Sequence, residues 1–291
     1  MRIIQSYQNE HPTLYIVATP IGNLADITLR AIEVLKHVDM VFAEDTRVSG
    51  KLLKHYDIDT NLNSVHAHNE NQRATLLKDY FSEHKNIALI SDAGTPRISD
   101  PGEILVKTAI DVGYKVIPIP GATALITALM ASEITTHPFL FYGFLPPKKN
   151  AREKTLETLK MVPYTLIFYE APHRITPMIQ SLKTVFDNRR VTIAREMTKR
   201  YETFMHFELN ETVDLGDLKG EMVCIVEGFK SSEWLDQSDL IGHVEILIAD
   251  GMQEMDAIKT VAQSRKMKKN DVYMAYKKHK KHFDTNINEE V

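Results

Sequence analysis

Three short loops rich in glycine and proline hold the residues best placed to bind a ligand. They are Thr19-Pro20-Ile21-Gly22-Asn23, Ser91-Asp92-Ala93-Gly94-Thr95-Pro96-Arg97-Ile98-Ser99-Asp100-Pro101-Gly102 and Pro118-Ile119-Pro120-Gly121-Ala122-Thr123-Ala124. Each ends a short apolar run of β-forming residues, at 13–18, 86–91 and 115–119. In open α/β sheets, ligands sit beyond the carboxyl ends of the strands. Small residues and fixed proline turns let a backbone approach such a ligand closely. Any one loop is also explained by turn chemistry. All three on one sheet edge describe a pocket whose donors and acceptors are largely main-chain. No G-x-G-x-x-G follows the first strand and no G-x-x-x-x-G-K-[ST] occurs. Dinucleotide and P-loop readings therefore lose their main support.

Polar side chains surround these loops. Glu44-Asp45-Thr46-Arg47 follows the second expected strand at its carboxyl end and can face the same cleft. Asp100 either lines the cleft or caps a helix opening at Pro101. His66 and His68 alternate along a strand-like segment, but Asn69 and Glu70 are poor completions of a metal site. Hydrogen bonding is preferred there, and no metal is expected. His173-Arg174 follows an apolar strand and suits a phosphate at a helix start, or plain capping. Lys148, Lys149, Arg152 and Lys154 form one basic group; Arg189, Arg190, Arg195, Lys199 and Arg200 form another. Tyr142, Phe144, Tyr169 and Tyr201 are interleaved with them and could stack unpaired bases, although most aromatics on apolar strands are core.

The elements that must position these groups follow from periodicity. Strands are expected at 13–18, 39–43, 63–66, 86–91 and 115–119. Helices are expected at 26–37, with Asp26 as cap, and at 49–56, 73–82 and 104–112. That alternation gives βαβ units and a mainly parallel sheet. A second cycle after a break at 135–138 has strands at 139–144, 164–169, 190–195, 202–208 and 221–227, with helices to 160 and at 174–186. Its sheet is expected to be mixed. All prolines lie at or before Pro177, so the end of the chain reads as helices. The fold class is α/β: an N-terminal α/β domain over 1–134, a second over 135–230, and a small helical C-terminal extension over 231–291.

Composition sets bounds. The chain has 291 residues, 43% hydrophobic and 25% charged, ordinary for a globular protein and not for a disordered one. Proline, glycine and threonine break its most apolar stretch, 116–131, so no membrane span is expected. The N-terminus lacks an apolar core, so no secretory signal is read and a cytoplasmic location is expected. The single cysteine, Cys224, sits in an apolar run and reads as a buried, inert thiol. A net charge of −4 confines any nucleic-acid surface to local patches. The tail is polarised: 231–258 holds seven acidic residues and no Lys or Arg, and 265–281 holds eight basic residues and one acidic. Such a run is either a solvated helix face or a phosphate-contacting arm.

The strings TPIGNLADITLRA, AEDTR, HAHNE, SDAGTPRISDPG, PIPGATA, FYGFLPPK, FYEAPHR and REMTKRYE occur in this order. Over about 14–228 the chain resembles the ribosomal RNA small-subunit methyltransferase I family, within the tetrapyrrole-methylase superfamily. Arg97 departs from the pattern, where an aliphatic residue is expected. The resemblance implies two α/β domains of tetrapyrrole-methylase type, S-adenosyl-L-methionine as methyl donor and a homodimer. It implies an rRNA (cytidine-2′-O-)-methyltransferase acting on a decoding-centre cytidine of 16S rRNA, within the small ribosomal subunit. Donor contacts then fall on Ile21, Ala93, Gly94, Thr95, Ile98, Thr123 and Ala124, with Glu170 and Met197 from the second domain. A ribose hydroxyl needs a base or a nearby cation. Asp45 is the first choice of base, Arg47 a phosphate or carboxylate clamp, and Lys199 the cation. For Glu44 and Arg47 a structural ion pair stands as the alternative. RNA contacts are expected at Lys148, Lys149, Arg152, His173, Arg174, Arg195 and Arg200. Two other functions remain open: a small-molecule, tetrapyrrole-type methyltransferase of the same fold, and a non-catalytic ribosome-binding module.

Overall fold

The computed structural model describes residues 5–6, 12–66, 69–216, 218–230, 240–249, 251–265 and 267–287. His68 and residues 231–239 of the acidic stretch lie outside them. The first sheet contains β1 (Thr13–Val17), β2 (Met40–Ala43), β3 (Leu62–Ser64), β4 (Ile87–Ile90) and β5 (Lys115–Ile119). Its order is β3-β2-β4-β1-β5 and every pairing is parallel. Side chains alternate across the pleat, so β4 faces two cores. Ala88 and Ile90 join Ala31 and Leu35 of α1 (Leu29–His37) and Leu53 of α2 (Thr46–His55). Ile87 and Leu89 join Leu77 of α3 (Glu70–Ser82) and Leu105 and Ala109 of α4 (Glu103–Val112). A strand buried on both faces must be apolar throughout, which explains the run Ile87-Ala88-Leu89-Ile90.

The cap of α1 differs from expectation. Thr28, extended at φ −81° and ψ 148°, accepts from the Ala31 N–H at 3.1 Å. Asp26 instead closes a single 3₁₀ turn, Leu24–Asp26, capped by Asn23. The helix α4 begins at Glu103 behind Gly102 (φ +129°), so Asp100 is not its cap.

The second sheet contains β6 (Phe139–Phe144), β7 (Thr165–Glu170), β8 (Arg190–Arg195), β9 (Thr203–Glu208) and β10 (Met222–Val226). Its order is β6-β7-β10-β8-β9: β6 and β7 are parallel, and the other pairings antiparallel. A helix absent from the sequence reading, α5 (Ala124–Met130), packs Leu125, Ala128 and Leu129 on one face against Ile167, Ala194, Val223 and Ile225. The helices α6 (Lys149–Leu159) and α7 (Pro172–Val185) pack together. Cys224 in the centre of β10 is fully buried, and burial pushes its thiol far up, in keeping with an inert role.

Contacts group both sheets into one compact unit, Met1–Lys160 with Tyr164–Glu227. A division at 134/135 is therefore a division by sheet, and we keep the three-part scheme as a proposal. The other unit, Met161–Pro163 with Gly228–Val291, carries α8 (Leu240–Ala249), α9 (Glu254–Ser264) and α10 (Lys269–Ile287). It has its own core of Val244, Ile258, Val261, Val272 and Tyr276.

Candidate active site

The three loops meet at the carboxyl edge of the first sheet. Thr19 and Gly94 exchange backbone hydrogen bonds, N–H to carbonyl, at 2.8 and 3.1 Å. The Thr19 hydroxyl donates to the Ser91 carbonyl at 3.0 Å, and the Thr95 hydroxyl to the Ala122 carbonyl at 3.2 Å. Gly94 sits at φ +86°, a region open to glycine and strained for other residues. At Gly121 a Cβ would lie 2.9 Å from the Ala18 Cβ, so the third loop needs glycine for close approach to the first.

The second sheet supplies the opposing wall. The Asn23 N–H donates to the Thr198 hydroxyl at 2.9 Å, and the Leu125 N–H to the Tyr169 hydroxyl at 3.2 Å. Between the walls lies a cavity of about 400 Å³, lined by Ile21, Ala93, Gly94, Thr95, Ile98, Ser99, Asp100, Thr123 and Ala124 from one side. Phe144, Tyr169, Glu196, Met197, Lys199, Gly220, Glu221, Met222 and Val223 line the other. This volume falls within the range of small-molecule sites. Gly220 passes so close over Glu196 that a Cβ would lie 1.9 Å from Oε1. That carboxylate pairs with Lys199 Nζ at 3.0 Å.

The wall is acidic. Burial pushes the Asp100 carboxyl up to about 6; Glu221 and Asp92 add to the rise, and a hydrogen bond with Ser91 opposes it. Burial also raises Glu44 behind it, helped by Asp100, Asp92 and Glu221. Such a cavity favours a compact organic cation, which would compensate the crowded carboxylates. Asp100 is raised above its ordinary 3.8, so folding takes up a proton there between pH 3.8 and about 6. The charged group therefore weakens the fold above pH 6, and the effect fades as the pH falls toward 3.8. Asp100→Asn is expected to raise the melting temperature at about pH 7.5 and to weaken binding of a cationic ligand about tenfold, read by thermal melts and calorimetry.

The structure brings nine sequence-chosen residues to this cavity: Ile21, Ala93, Gly94, Thr95, Ile98, Thr123, Ala124, Met197 and Lys199. Other expectations are corrected. Asp45 caps α2 by accepting from the Arg47 N–H at 2.8 Å, and its Oδ2 pairs with Arg47 Nη2 at 2.6 Å. Hydrogen bonds from Arg47 hold the Asp45 carboxyl at about 2, too acidic for an effective base, and neither residue lines the cavity. Here the structural ion pair, with Asp45 as the acid, is what forms. Glu170 is fully buried and also absent from the cavity wall, because its neighbour Tyr169 takes that side of β7. Arg97, exposed at φ +71°, lies off the wall, so the departure at this position does not touch it.

The basic groups divide. Lys148, Lys149, His173, Lys199 and Arg200 are exposed, and the Arg200 guanidinium lies 5.7 Å from the ring centre of exposed Tyr201. Arg195 is half-buried at the end of β8, its Nε without a hydrogen bond. Arg152 is corrected outright: it is 4% exposed and hydrogen-bonded inside the protein. Arg174 is tied to Glu170 at 3.0 Å. Arg189 is buried, and Arg190 pairs with Glu227 at 2.6 Å. Among the described residues no group of three or more His, Cys, Asp or Glu is placed to hold a metal ion.

Of the two roles open to Asp100, cleft lining or helix cap, the wall position is the one found, while Glu196 and residues 220–223 were missed by sequence reasoning. The place of Asp100 in the loop that follows the apolar run at 86–91 was its signal. For 220–223 there was none, since only the placement of β10 brings them in.

The family model of the Tetrapyrrole (Corrin/Porphyrin) Methylases matches residues 13–212. The ribosomal RNA small subunit methyltransferase I of Halalkalibacterium halodurans is 47% identical over 286 residues, 95% of this chain and 99% of that protein. The protein of the same name from Bacillus subtilis is 43% identical over 272 residues, 90% of this chain and 93% of that one. The chain belongs to this methyltransferase I family of tetrapyrrole methylases. Solved structures of more distant sequence share the fold. The methyltransferase CobJ aligns with a TM-score of 0.57 at 18% identity, covering 75% of this chain and 94% of that one. A uroporphyrin-III-C-methyltransferase from Thermus thermophilus aligns at 0.54 and 17%, covering 73% and 93%.

Proposed function

We propose that the chain methylates the 2′-oxygen of a decoding-centre cytidine (cytidine 1402 in the usual 16S numbering) in small-subunit ribosomal RNA. It is an S-adenosylmethionine-dependent rRNA methyltransferase. It acts on the small ribosomal subunit, as a homodimer, in the cytoplasm. The observation that carries the reading is the acid-lined cavity of about 400 Å³ between three main-chain loops and the second sheet. Its dimensions, its apolar surfaces at Ile21, Ile98, Met197 and Val223, and its carboxylates suit a nucleoside that bears positive charge. Among the described residues no helix is long and apolar enough to cross a membrane.

Bound in this cavity, the donor supplies an electrophilic methyl group on a sulfonium. The loops around Ile21, Gly94 and Thr123 orient it, and fixed orientation of both reactants contributes up to about 7–11 kcal/mol. Asp100 and Glu221, both on the wall, would offset its positive charge. Phe144 and Met222 add apolar surface to the wall. Lys199 on the wall would offer a cation to the ribose oxygen and so favour release of its proton to solvent as the oxygen–methyl bond forms and the sulfur–methyl bond breaks.

The test uses small subunits that lack the modification, with labelled donor. Label transferred to 2′-O-methylcytidine, identified by mass spectrometry after digestion, supports the reading. Label on a tetrapyrrole and none on RNA overturns it. Donor binding without any transfer favours a ribosome-binding module. For the RNA surface we expect that Lys148→Glu with Lys149→Glu weakens subunit binding and flattens its salt dependence by roughly 0.7–0.9 in log–log slope per lost phosphate contact. Donor affinity should stay unchanged. An unaltered slope removes this patch from the interface.

A further inference from the structure

The segment Leu145-Pro146-Pro147-Lys148 leads from β6 into α6. Its two prolines have no N–H, so the loop is fastened mainly through its carbonyls. Two guanidinium groups take them. Arg174, in the first turn of α7, donates from Nη2 to the Leu145 carbonyl. Arg152, in the first turn of α6, donates from Nη1 to the Pro147 carbonyl at 3.1 Å.

Both donors are themselves fixed. Arg152 is almost fully buried; its Nε donates to the Ser181 hydroxyl at 3.0 Å and its Nη2 to the Pro177 carbonyl at 3.1 Å. Arg174 Nε lies 3.0 Å from Oε1 of Glu170, which is fully buried at the end of β7. The same oxygen accepts from the Ala171 N–H at 2.9 Å, while Oε2 has no hydrogen-bond partner. Removing either partner of this pair would leave a charge without its counterion, so Glu170 and Arg174 hold each other in place. Two chains of contacts thus run to the loop, one from the end of β7 and one from the middle of α7. Before the loop Phe144 lines the cavity, and at its end Lys148 and Lys149 are exposed.

We propose that Arg152, Arg174 and Glu170 are positioning residues for the RNA substrate, fixing loop 145–148 so that Lys148 and the adjoining Lys149 meet the RNA in register with the cavity wall at Phe144. This rests on the reading of Lys148 and Lys149 as RNA contacts. A loop already ordered loses less freedom on binding, so the network acts on RNA affinity and not on the donor. Arginine is required because its rigid planar fork reaches a carboxylate and a carbonyl together, whereas a lysine ammonium is a point charge on a flexible stem.

Arg174→Lys keeps a cation beside Glu170 and gives up the fork. In the full chain it is expected to raise KM for small subunits about tenfold, with kcat and donor affinity within about twofold. Pro146→Gly with Pro147→Gly leaves all three side chains in place and loosens only the loop; it is expected to raise KM alike, and it decides the matter alone if Arg174→Lys fails to fold. Wild-type KM in the proline variant overturns the proposal. So does an Arg174→Lys protein that melts earlier and binds donor in a smaller fraction, yet has wild-type KM per competent site. Lys148→Glu with Lys149→Glu separates the two readings. Unchanged KM there sinks the RNA assignment of the loop itself, while a raised KM there beside normal KM in the other two variants sinks positioning alone.

Discussion

Lys199→Met lowers kcat by about a hundredfold, equivalent to roughly 2.7 kcal/mol, while donor affinity changes less than about threefold. The expectation follows from where this cation sits. Lys199 is on the cavity wall, its Nζ 3.0 Å from Glu196 Oε1, on a turn in which Glu196 and Thr198 adopt φ +50° and +65°. A backbone held in that region is costly unless its surroundings enforce it, and such costs cluster at functional sites. The hydroxyl of a ribose is a poor nucleophile until its proton is leaving, and a fixed positive charge lowers the cost of that departure. The donor is itself a cation, so removing Lys199 does not remove an attraction for it. Single-turnover rates with saturating donor and subunits read the effect. Lys199→Arg should recover part of the rate by restoring charge. If Glu196→Gln reproduces the full loss, the pair matters for shape, and the electrostatic role of Lys199 is wrong.

Gly94→Val is expected to weaken donor binding by at least about a hundredfold and to lower stability by roughly 2 kcal/mol. Gly94 is at φ +86°, where a β-branched residue is strained. Its Cβ alone would lie 3.3 Å from Ile21 Cγ2, and valine adds two methyl groups beyond that point. The neighbours are ill placed to retreat. Gly94 is stitched to Thr19 through both its N–H and its carbonyl, and Ile21 itself lines the cavity. The damage therefore reaches two of the three loops together. Calorimetric titration and thermal melts measure the two effects. Gly94→Ala should show the same pattern more weakly, and normal donor affinity in the valine variant would mean that the loop does not hold the donor.

The sequence made the first sheet legible because its signals are local. Continuous apolar strands, each ending in small and proline residues, force the loops to one edge whatever the rest of the chain does. The same locality explains the failures. Asp45 looked like a base because it follows a strand, but a carboxylate one residue before a helix is first a cap, and Arg47 two residues on is within its reach. Arg152 looked exposed within a basic string. Yet 152, 156 and 159 fall on one helical face, and Leu156 and Leu159 are buried with it. Reading that spacing in place of the charge would have placed Arg152 inside. Glu170 closes the run Thr165-Leu166-Ile167-Phe168-Tyr169-Glu170, where alternation sends it away from Tyr169. Asp100 could be read as a cap only while the start of α4 was unknown. Glu221 and Met222 owe their place to long-range pairing, for which one sequence holds no local signal.

That pairing also governs how the protein comes into being. The last strand among the described residues, β10, is inserted between β7 and β8, which precede it in sequence. Until residue 226 leaves the ribosome, β7 and β8 each show a bare, apolar edge, the kind of surface on which chains coalesce. Nor is there a lined cavity before then, because Met222 and Val223 complete it. A chain that ends before β10 therefore lacks part of the cavity wall and leaves two apolar strand edges unpaired.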